Sequence, residues 1–323
     1  MKHYADNYYI HAKICALHPQ LLTREGYVEI VQAGNAQSAF PVLLSGSEAR
    51  NYITAKEILF RSQIDHIVRL LDISACYHSI FKSYLRLFEA ENIKLLLAGV
   101  FNRRGAVGQW FDIRPYQTFP RALLKQNLSL SAFMDILRKS YLGEIAAGGF
   151  PVRYESLEIR IDSFAAGSLF RSVHEVPLRQ QAVVREILFL RMCLFRHMWG
   201  ERLRYYYGWK DEKIAGFLAG FDDLLDDSAK GHVSRRRIEP RIMQALEQSA
   251  ASLSDLPARE RALERFFHSY VLKQFFKDFH SVACVVAYLW LVYYQIENLF
   301  RIMEGFRFCM PPTDIYERLI CED

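Results

Sequence analysis

Three aspartates in the second half of this 323-residue sequence are the side chains best suited to chemistry. Asp222, Asp223 and Asp226 form an Asp-Asp-x-x-Asp pattern within the stretch FDDLLDD. On a helix, carboxylates one turn apart lie on the same face. Together they can ligate a hard cation such as Mg²⁺ through oxygen, and a bound Mg²⁺ can hold a diphosphate. The pattern therefore indicates a candidate Mg²⁺ and diphosphate site.

Such a site needs a second acidic cluster on a facing helix, as all-α terpenoid synthases have. The rest of the sequence contains no matching group of Asn, Asp, Ser and Glu. The simpler interpretation is a solvated acidic helix end before the loop SAKGH at 228–232. We favour this interpretation. An all-α, prenyl-diphosphate-handling enzyme that uses Asp222, Asp223 and Asp226 with Mg²⁺ remains the alternative function.

Other motifs for catalysis or ligand binding are absent from the sequence. The ten histidines and six cysteines include no HExxH motif, no CxxC pair and no zinc-ligand spacing. There is no GxxxxGK[ST] loop for nucleotide phosphates, no GxSxG and no GxGxxG. We therefore expect no catalytic residue, no metal, no cofactor and no ATP hydrolysis by this chain.

The charge pattern gives no sign of nucleic-acid binding. The 41 basic and 36 acidic residues leave a net charge of +5, which is too even a balance to indicate such a partner. The densest basic tract is SRRRIEPR at 234–241, with Arg235, Arg236 and Arg237 at its centre. It could contact phosphate or anionic lipid head groups. The simpler interpretation, which we favour, is a solvated loop or pairing with the acidic run before it.

The composition predicts a globular protein of the cytosol. Half of the residues are hydrophobic, and the cysteines are too scattered for a disulfide framework. No apolar segment follows the basic residue at the N-terminus, so we expect no secretory signal. The longest apolar run, 282–294, is shorter than the roughly 20 residues that a spanning helix needs. Its helical spacing predicts a buried core helix and no membrane span.

Helical patterns recur along the chain, whereas strand patterns are scarce. Phe60, Ile64, Ile67, Val68 and Leu71 follow one helical stripe. The stretch LEIRIDSF at 157–164 alternates like a strand but is short and has no evident pairing partner, so we predict a helix there as well. Helix starts are predicted at four capping side chains: Thr23, Ser131, Asp211 and Thr313. The fold class is therefore all-α.

Three similar nine-residue strings, each ending in glycine, occur along the chain. ENIKLLLAG begins at residue 91, MCLFRHMWG at 192 and ENLFRIMEG at 297, so the steps are nearly equal and indicate internal duplication. The outer copies share Glu91 and Asn92 with Glu297 and Asn298, which we interpret as capping or inter-helix hydrogen-bonding residues. We predict three related helical domains, at 1–105, 106–208 and 209–323.

Each copy of the string ends in glycine. We expect Gly99, Gly200 and Gly305 to end their helices in a left-handed cap, because a residue without Cβ adopts that conformation at least cost. Equivalent loops should then lie at one end of a threefold array. Arg103, Arg104 and Arg307 follow the glycines, and we predict that they contact a partner there.

The repeat and its surroundings resemble one known family. A Glu-Asn helix that ends in glycine and is followed by PPTDI at 311–315 resembles the central-stalk socket family of V-type ATPases, whose members are designated C or d. The stretch 8–34, YYIHAKICALHPQLLTREGYVEIVQAG, is similar to the entry helix of that family and the turn after it, and Leu157-Glu158, Asp162 and LER at 263–265 are similar to its inter-repeat helices. The chain departs from the family at Met192-Cys193 and at 100, 201 and 306, where the family often has a basic residue.

The resemblance implies a fold and a function. The fold would be three related helical domains around a pseudo-threefold axis, forming a funnel with a central cavity. The protein would be a non-catalytic central-stalk subunit, peripheral on the cytoplasmic face of the membrane. Its partners would be the rotor shaft, made of the D and F subunits, and the membrane proteolipid ring, and it would serve ion transport, such as proton transport, by a rotary motor.

Overall fold

The computed structural model describes residues 2–42, 44, 51–74, 77–102, 108–147, 153–228, 235–249 and 255–321. Over these ranges the chain forms helices and no strand, which confirms the all-α class. The helices are α1 (Lys2–Leu17), α2 (Arg24–Gln32), α3 (Ala36–Ala39), α4 (Tyr52–Ile73), α5 (His78–Asn102), α6 (Leu130–Arg138), α7 (Gly143–Ala147), α8 (Tyr154–Arg171), α9 (Leu178–Tyr207), α10 (Asp211–Ser228), α11 (Arg235–Gln248), α12 (Leu256–Lys277), α13 (Val282–Arg307) and α14 (Pro312–Arg318).

Helix α13 is the centre of the core, as its sequence predicts. It is long and apolar enough to cross a membrane, and no other helix among the described residues is. However, 89% of its most apolar window is buried inside the protein, against α4, α9 and α12. The same apolar run therefore serves helix packing here.

The capping predictions had mixed outcomes. Thr23 caps α2 by accepting a hydrogen bond from the Gly26 amide, as expected. Asp211 is the first residue of α10 and not its cap, and its carboxylate accepts a hydrogen bond from Arg204. The cap of α6 is Ser129 and not Ser131, because the helix starts two residues earlier. Helix α14 starts at Pro312, so Thr313 lies inside its first turn. The stretch 157–164 is helical, within α8.

The prediction that the repeat glycines end their helices is wrong. Gly99, Gly200 and Gly305 all lie inside α5, α9 and α13, which continue beyond them. Among the described glycines only Gly34 and Gly208 have positive φ. Gly305 instead allows a neighbouring helix to approach closely, whereas the position of Gly200 does not require a residue without Cβ. A Cβ on Gly305 would lie 2.5 Å from the Ile315 side chain of α14, and one on Gly200 would contact α10 at 3.8 Å.

One hydrophobic core joins the three predicted domains. Its main cluster contains Phe60 and Phe88 from the first segment, Phe189 from the second, and Phe267 and Trp290 from the third. A smaller cluster lies between α5, α6 and α8. The segments 1–105, 106–208 and 209–323 therefore share their interior, and the domain division stays a prediction.

The glycine contact between α13 and α14 can be tested by adding one methyl group. Gly305→Ala should lower the free energy of unfolding by about 1–3 kcal/mol, because Ile315 is buried and has little room to move. Gly216→Ala in α10 is the matched control, since a Cβ there meets nothing within 4 Å. That variant should gain stability from helix propensity. Urea unfolding measures both changes, and equal stability of the two variants would contradict the packing role.

Candidate functional site

The three helices that contain the repeated string converge on one cavity of about 620 Å³, which we name the central cavity. Helix α5 contributes Glu91, α9 contributes Phe195, and α13 contributes Glu297. Helices α8 and α12 complete the wall. Glu91 and Arg318 are exposed, so the cavity is open to solvent.

Helices α5 and α13 lie parallel and at the same level. The rings of Tyr84 and Trp290 are 6.5 Å apart, and those of Phe88 and Tyr293 are 5.9 Å apart. One turn further along each helix, the first residues of the two strings both line the cavity. The sequence repeat between α5 and α13 therefore corresponds to a spatial equivalence around the cavity.

The asparagines of the outer strings have the same function in the structure. Asn92 donates to the Phe111 carbonyl and accepts from the Phe111 amide, both at 2.8 Å. Asn298 forms the same pair of bonds with Ile320, at 2.7 and 2.8 Å. Each buried amide thus holds the segment that follows its helix. Both asparagines therefore bond the backbone of a connecting segment and not a helix end or another helix, and neither lines the cavity.

A buried arginine forms part of the cavity wall. Arg191 of α9 is 3% exposed, and its Nη1 donates to Glu264 of α12 at 2.6 Å. The guanidinium carbon lies 4.4 Å from the ring centre of Phe195 and 5.0 Å from that of Trp290. Burial disfavours the charged form of Glu264, but the Arg191 charge and hydrogen bond outweigh it and lower the pKa of Glu264. Both groups are therefore ionised within the core.

A second, partly buried cation lies between α5 and α8. Lys94 contacts Glu91 at 2.6 Å and Asp162 at 2.9 Å. Burial would lower the pKa of Lys94, but the two carboxylates outweigh it and raise that pKa above its ordinary value. Trp199 of α9 also donates its indole N–H to Asp162, at 3.1 Å. The network joins three helices across one side of the cavity.

Two further carboxyl groups of the cavity are poorly compensated. Burial is the main cause that raises the pKa of Glu158, and nearby Asp162 and Glu91 raise it further against the opposing effects of Lys94 and Arg202. Burial also raises the pKa of Glu297, whose nearest cation, Arg301, is 3.9 Å away. Perturbed carboxyl groups in a cavity are typical of functional sites.

The predicted partner-binding arginines do not form a cluster that the structure describes. Arg307 ends α13, with its guanidinium carbon 4.8 Å from the Tyr52 ring centre. Arg103 and Arg104 lie outside the described residues. The first turn of α11 contains Arg235, Arg236 and Arg237, so the expectation of a loop there is wrong. The side chains of these three residues are not among those described.

The aspartates of the alternative function lie on α10, away from the central cavity lining. Asp222 accepts a bidentate pair of bonds from Arg196 of α9, at 2.5 and 2.9 Å. Asp223 is exposed, and the side chain of Asp226 is outside those described. No group of three or more potential metal ligands occurs among the described residues. An arginine therefore occupies the position that a cation would need at Asp222.

Sequence reasoning missed Arg191, Lys94 and Glu264 as a set. A usable signal was present for Arg191, since it interrupts the apolar run ILFLRMCLF at 187–195, where a buried charge must have a partner. No pattern within the sequence identifies that partner, because Glu264 lies 73 positions away.

Neither the comparison with protein-family models nor that with curated proteins found a match to this chain.

The ion pair at the cavity wall should be important for stability. Glu264→Ala leaves Arg191 charged and uncompensated in the core, so we expect a loss of about 3–5 kcal/mol in the free energy of unfolding. Glu260→Ala, one turn away on α12, is the control. Its partner Arg202 is 41% exposed, so we expect the lost ion pair to lower the free energy of unfolding by only about 0–1 kcal/mol, apart from the effect of shortening the side chain. Chemical denaturation distinguishes the two, and similar losses would contradict the proposed difference.

Glu158→Gln should stabilise the free protein at pH 7. Folding raises the pKa of Glu158 from its ordinary value of 4.5, so ionisation favours the unfolded state as the pH rises through the folded pKa. Below about pH 4, where wild-type Glu158 is protonated in both states, the variant should have no advantage. Urea unfolding at pH 4 and pH 7 measures this, with exposed Glu175→Gln as the control. An equal effect of Glu158→Gln at both pH values would exclude burial of the charge as the cause.

Proposed function

We propose that this protein is the non-catalytic central-stalk subunit of a rotary V-type ATPase. In this role it is a socket that couples the rotor shaft, made of the D and F subunits, to the membrane proteolipid ring. The three related helical units would surround a pseudo-threefold axis, and the central cavity would receive the lower end of the shaft. The protein would be peripheral on the cytoplasmic face of the membrane.

One observation carries the proposal: all three helices with the repeated string contribute to the wall of one open cavity. A duplicated helix needs no cavity if its only task is to form a core. The volume of about 620 Å³ is in the range of ligand pockets and accommodates several side chains of a polypeptide tip. Its lining is strongly charged, which suits a protein partner more than an apolar ligand.

The packing around the cavity also suits transmission of torque. Two ion pairs in the cavity wall, Arg191 with Glu264 and Lys94 with Asp162, join α9 to α12 and α5 to α8. Close-packed helix interfaces have low compressibility and transmit strain. A load applied at the cavity would therefore reach the outer helices with little deformation.

The contacts of Asp222 favour this function over the diphosphate enzyme. The bidentate bond from Arg196 uses both carboxylate oxygens of Asp222 within the protein. A Mg²⁺ site at this position would have to break that ion pair. Breaking the pair between Arg196 and Asp222 would cost free energy. This cost supports a structural role for Asp222.

The proposal predicts binding to the shaft. The purified chain should form a one-to-one complex with a D–F shaft complex from the same cell in size-exclusion chromatography, and should carry the proteolipid ring with it when isolated from membranes. It should also show no Mg²⁺-dependent turnover of prenyl diphosphates. Failure to bind the shaft would overturn the proposed function, and diphosphate turnover would favour the alternative.

A further inference from the structure

The two sides of the central cavity differ in charge. On the side formed by α5 and α8, the lining contains the three carboxylates Glu91, Glu158 and Asp162 and the single cation Lys94. Lys94 is bonded to Glu91 and Asp162. Glu158 has no ion pair or hydrogen bond among the described residues. This side therefore presents an excess of negative charge.

The side formed by α12 and α14 has the opposite excess. Arg261 and Arg318 line the cavity there and have no ion-pair partner among the described residues. The acidic residues of α12 that lie nearby do not neutralise them, since Glu260 is bonded to Arg202 and Glu264 to Arg191. Both of these bonds, at 2.6 Å, are made to α9.

Helix α9 separates the two sides. Its Trp199 bonds to Asp162 of α8, whereas its Arg202 bonds to Glu260 of α12. The order around the wall is thus α5, α8, α9, α12 and α13, and α13 returns to α5 through the contact of Tyr293 with Phe88. The excess charges of α8 and α12 are therefore held on different sides of the cavity by a rigid intervening helix.

We infer that the central cavity accepts its polypeptide partner in one rotational orientation, with a basic side chain of the partner facing Glu158 and an acidic one facing Arg261 and Arg318. The inference rests on the proposed function, because it requires a polypeptide occupant. A purely threefold apolar cavity would allow three equivalent orientations. Unequal charge removes that equivalence, since like charges placed opposite each other cost free energy, and complementary charges fix the register of an interface.

The unequal charge of the two sides distinguishes orientations of the inserted partner that three similar helices alone would not distinguish. Torque passes through an interface only if the inserted tip does not rotate within it. Shape can provide this resistance, but the lining residues of α5, α8 and α12 also differ in charge from one helix to the next. Charge placement therefore selects one of the orientations that the three similar helices would otherwise permit.

The test is a charge exchange across the cavity. The D–F shaft complex is titrated into the full chain in a calorimeter. Glu158→Lys and Arg318→Glu should each weaken binding about tenfold. The double variant with both changes has the wild-type net charge but inverted polarity, and it should bind about a hundredfold more weakly than wild type. Glu175→Lys and Arg179→Glu, which are exposed and outside the cavity lining, are the matched controls and should bind like wild type.

The outcomes distinguish binding that depends on where the charges lie in the cavity from binding that depends on net charge alone. If the double variant recovers wild-type affinity, net charge governs binding and the inference is wrong. Unchanged affinity of both single variants would also overturn it. Circular dichroism verifies folding, and Glu158→Gln with Arg318→Gln replaces the reversals if these unfold the protein, with the same direction expected. If wild type itself does not bind the shaft, the proposed function fails, a result that the variants cannot imitate.

Discussion

A charged group in the centre of the molecule constrains the packing of its longest helices. Arg191 is almost fully buried, and a buried guanidinium is tolerated only where a carboxylate and further polar or aromatic groups compensate it. Glu264 and the ring faces of Phe195 and Trp290 do so. These contacts come from α9, α12 and α13. The relative register of the three helices is therefore fixed by one charge, in addition to their hydrophobic contacts.

The cavity is a consequence of the same constraint. Charged side chains on the cavity-lining faces of α5, α8, α9 and α12 need hydration or ion pairs, and their helices cannot close into a solid apolar core around them. Glu158 illustrates this conflict, because burial raises its pKa and no cation of the described chain is bonded to it. A residue that costs stability in the free protein yet lies in an open cavity is typical of a site retained for binding.

The outer two copies of the repeated string make the same hydrogen bonds, whereas the middle copy differs from them. Asn92 and Asn298 make the same two bonds to the chain that follows, whereas the middle copy has Cys193 at that position. In the middle copy Arg196 is bonded to Asp222 of α10. Of the glycines, Gly305 is the one at which a Cβ would collide with a neighbouring helix, since a Cβ on Gly200 would make an ordinary contact. The helices that contain the strings therefore line one cavity while their contacts with the rest of the chain differ.

The sequence alone determined the helical class, the buried helix at 282–307 and the repeat, because each depends on local periodicity and composition. It predicted capping or inter-helix hydrogen bonds for Asn92 and Asn298, whereas their partners are the connecting segments at Phe111 and Ile320. It failed for the glycines, since a helix end and a close helix contact both favour the same residue type. Only the tertiary structure decided that Arg191 pairs with Glu264 and that Arg196 pairs with Asp222. Ion-pair partners depend on which helix faces meet, and residues far apart in sequence acquire that relation only when the whole chain has packed.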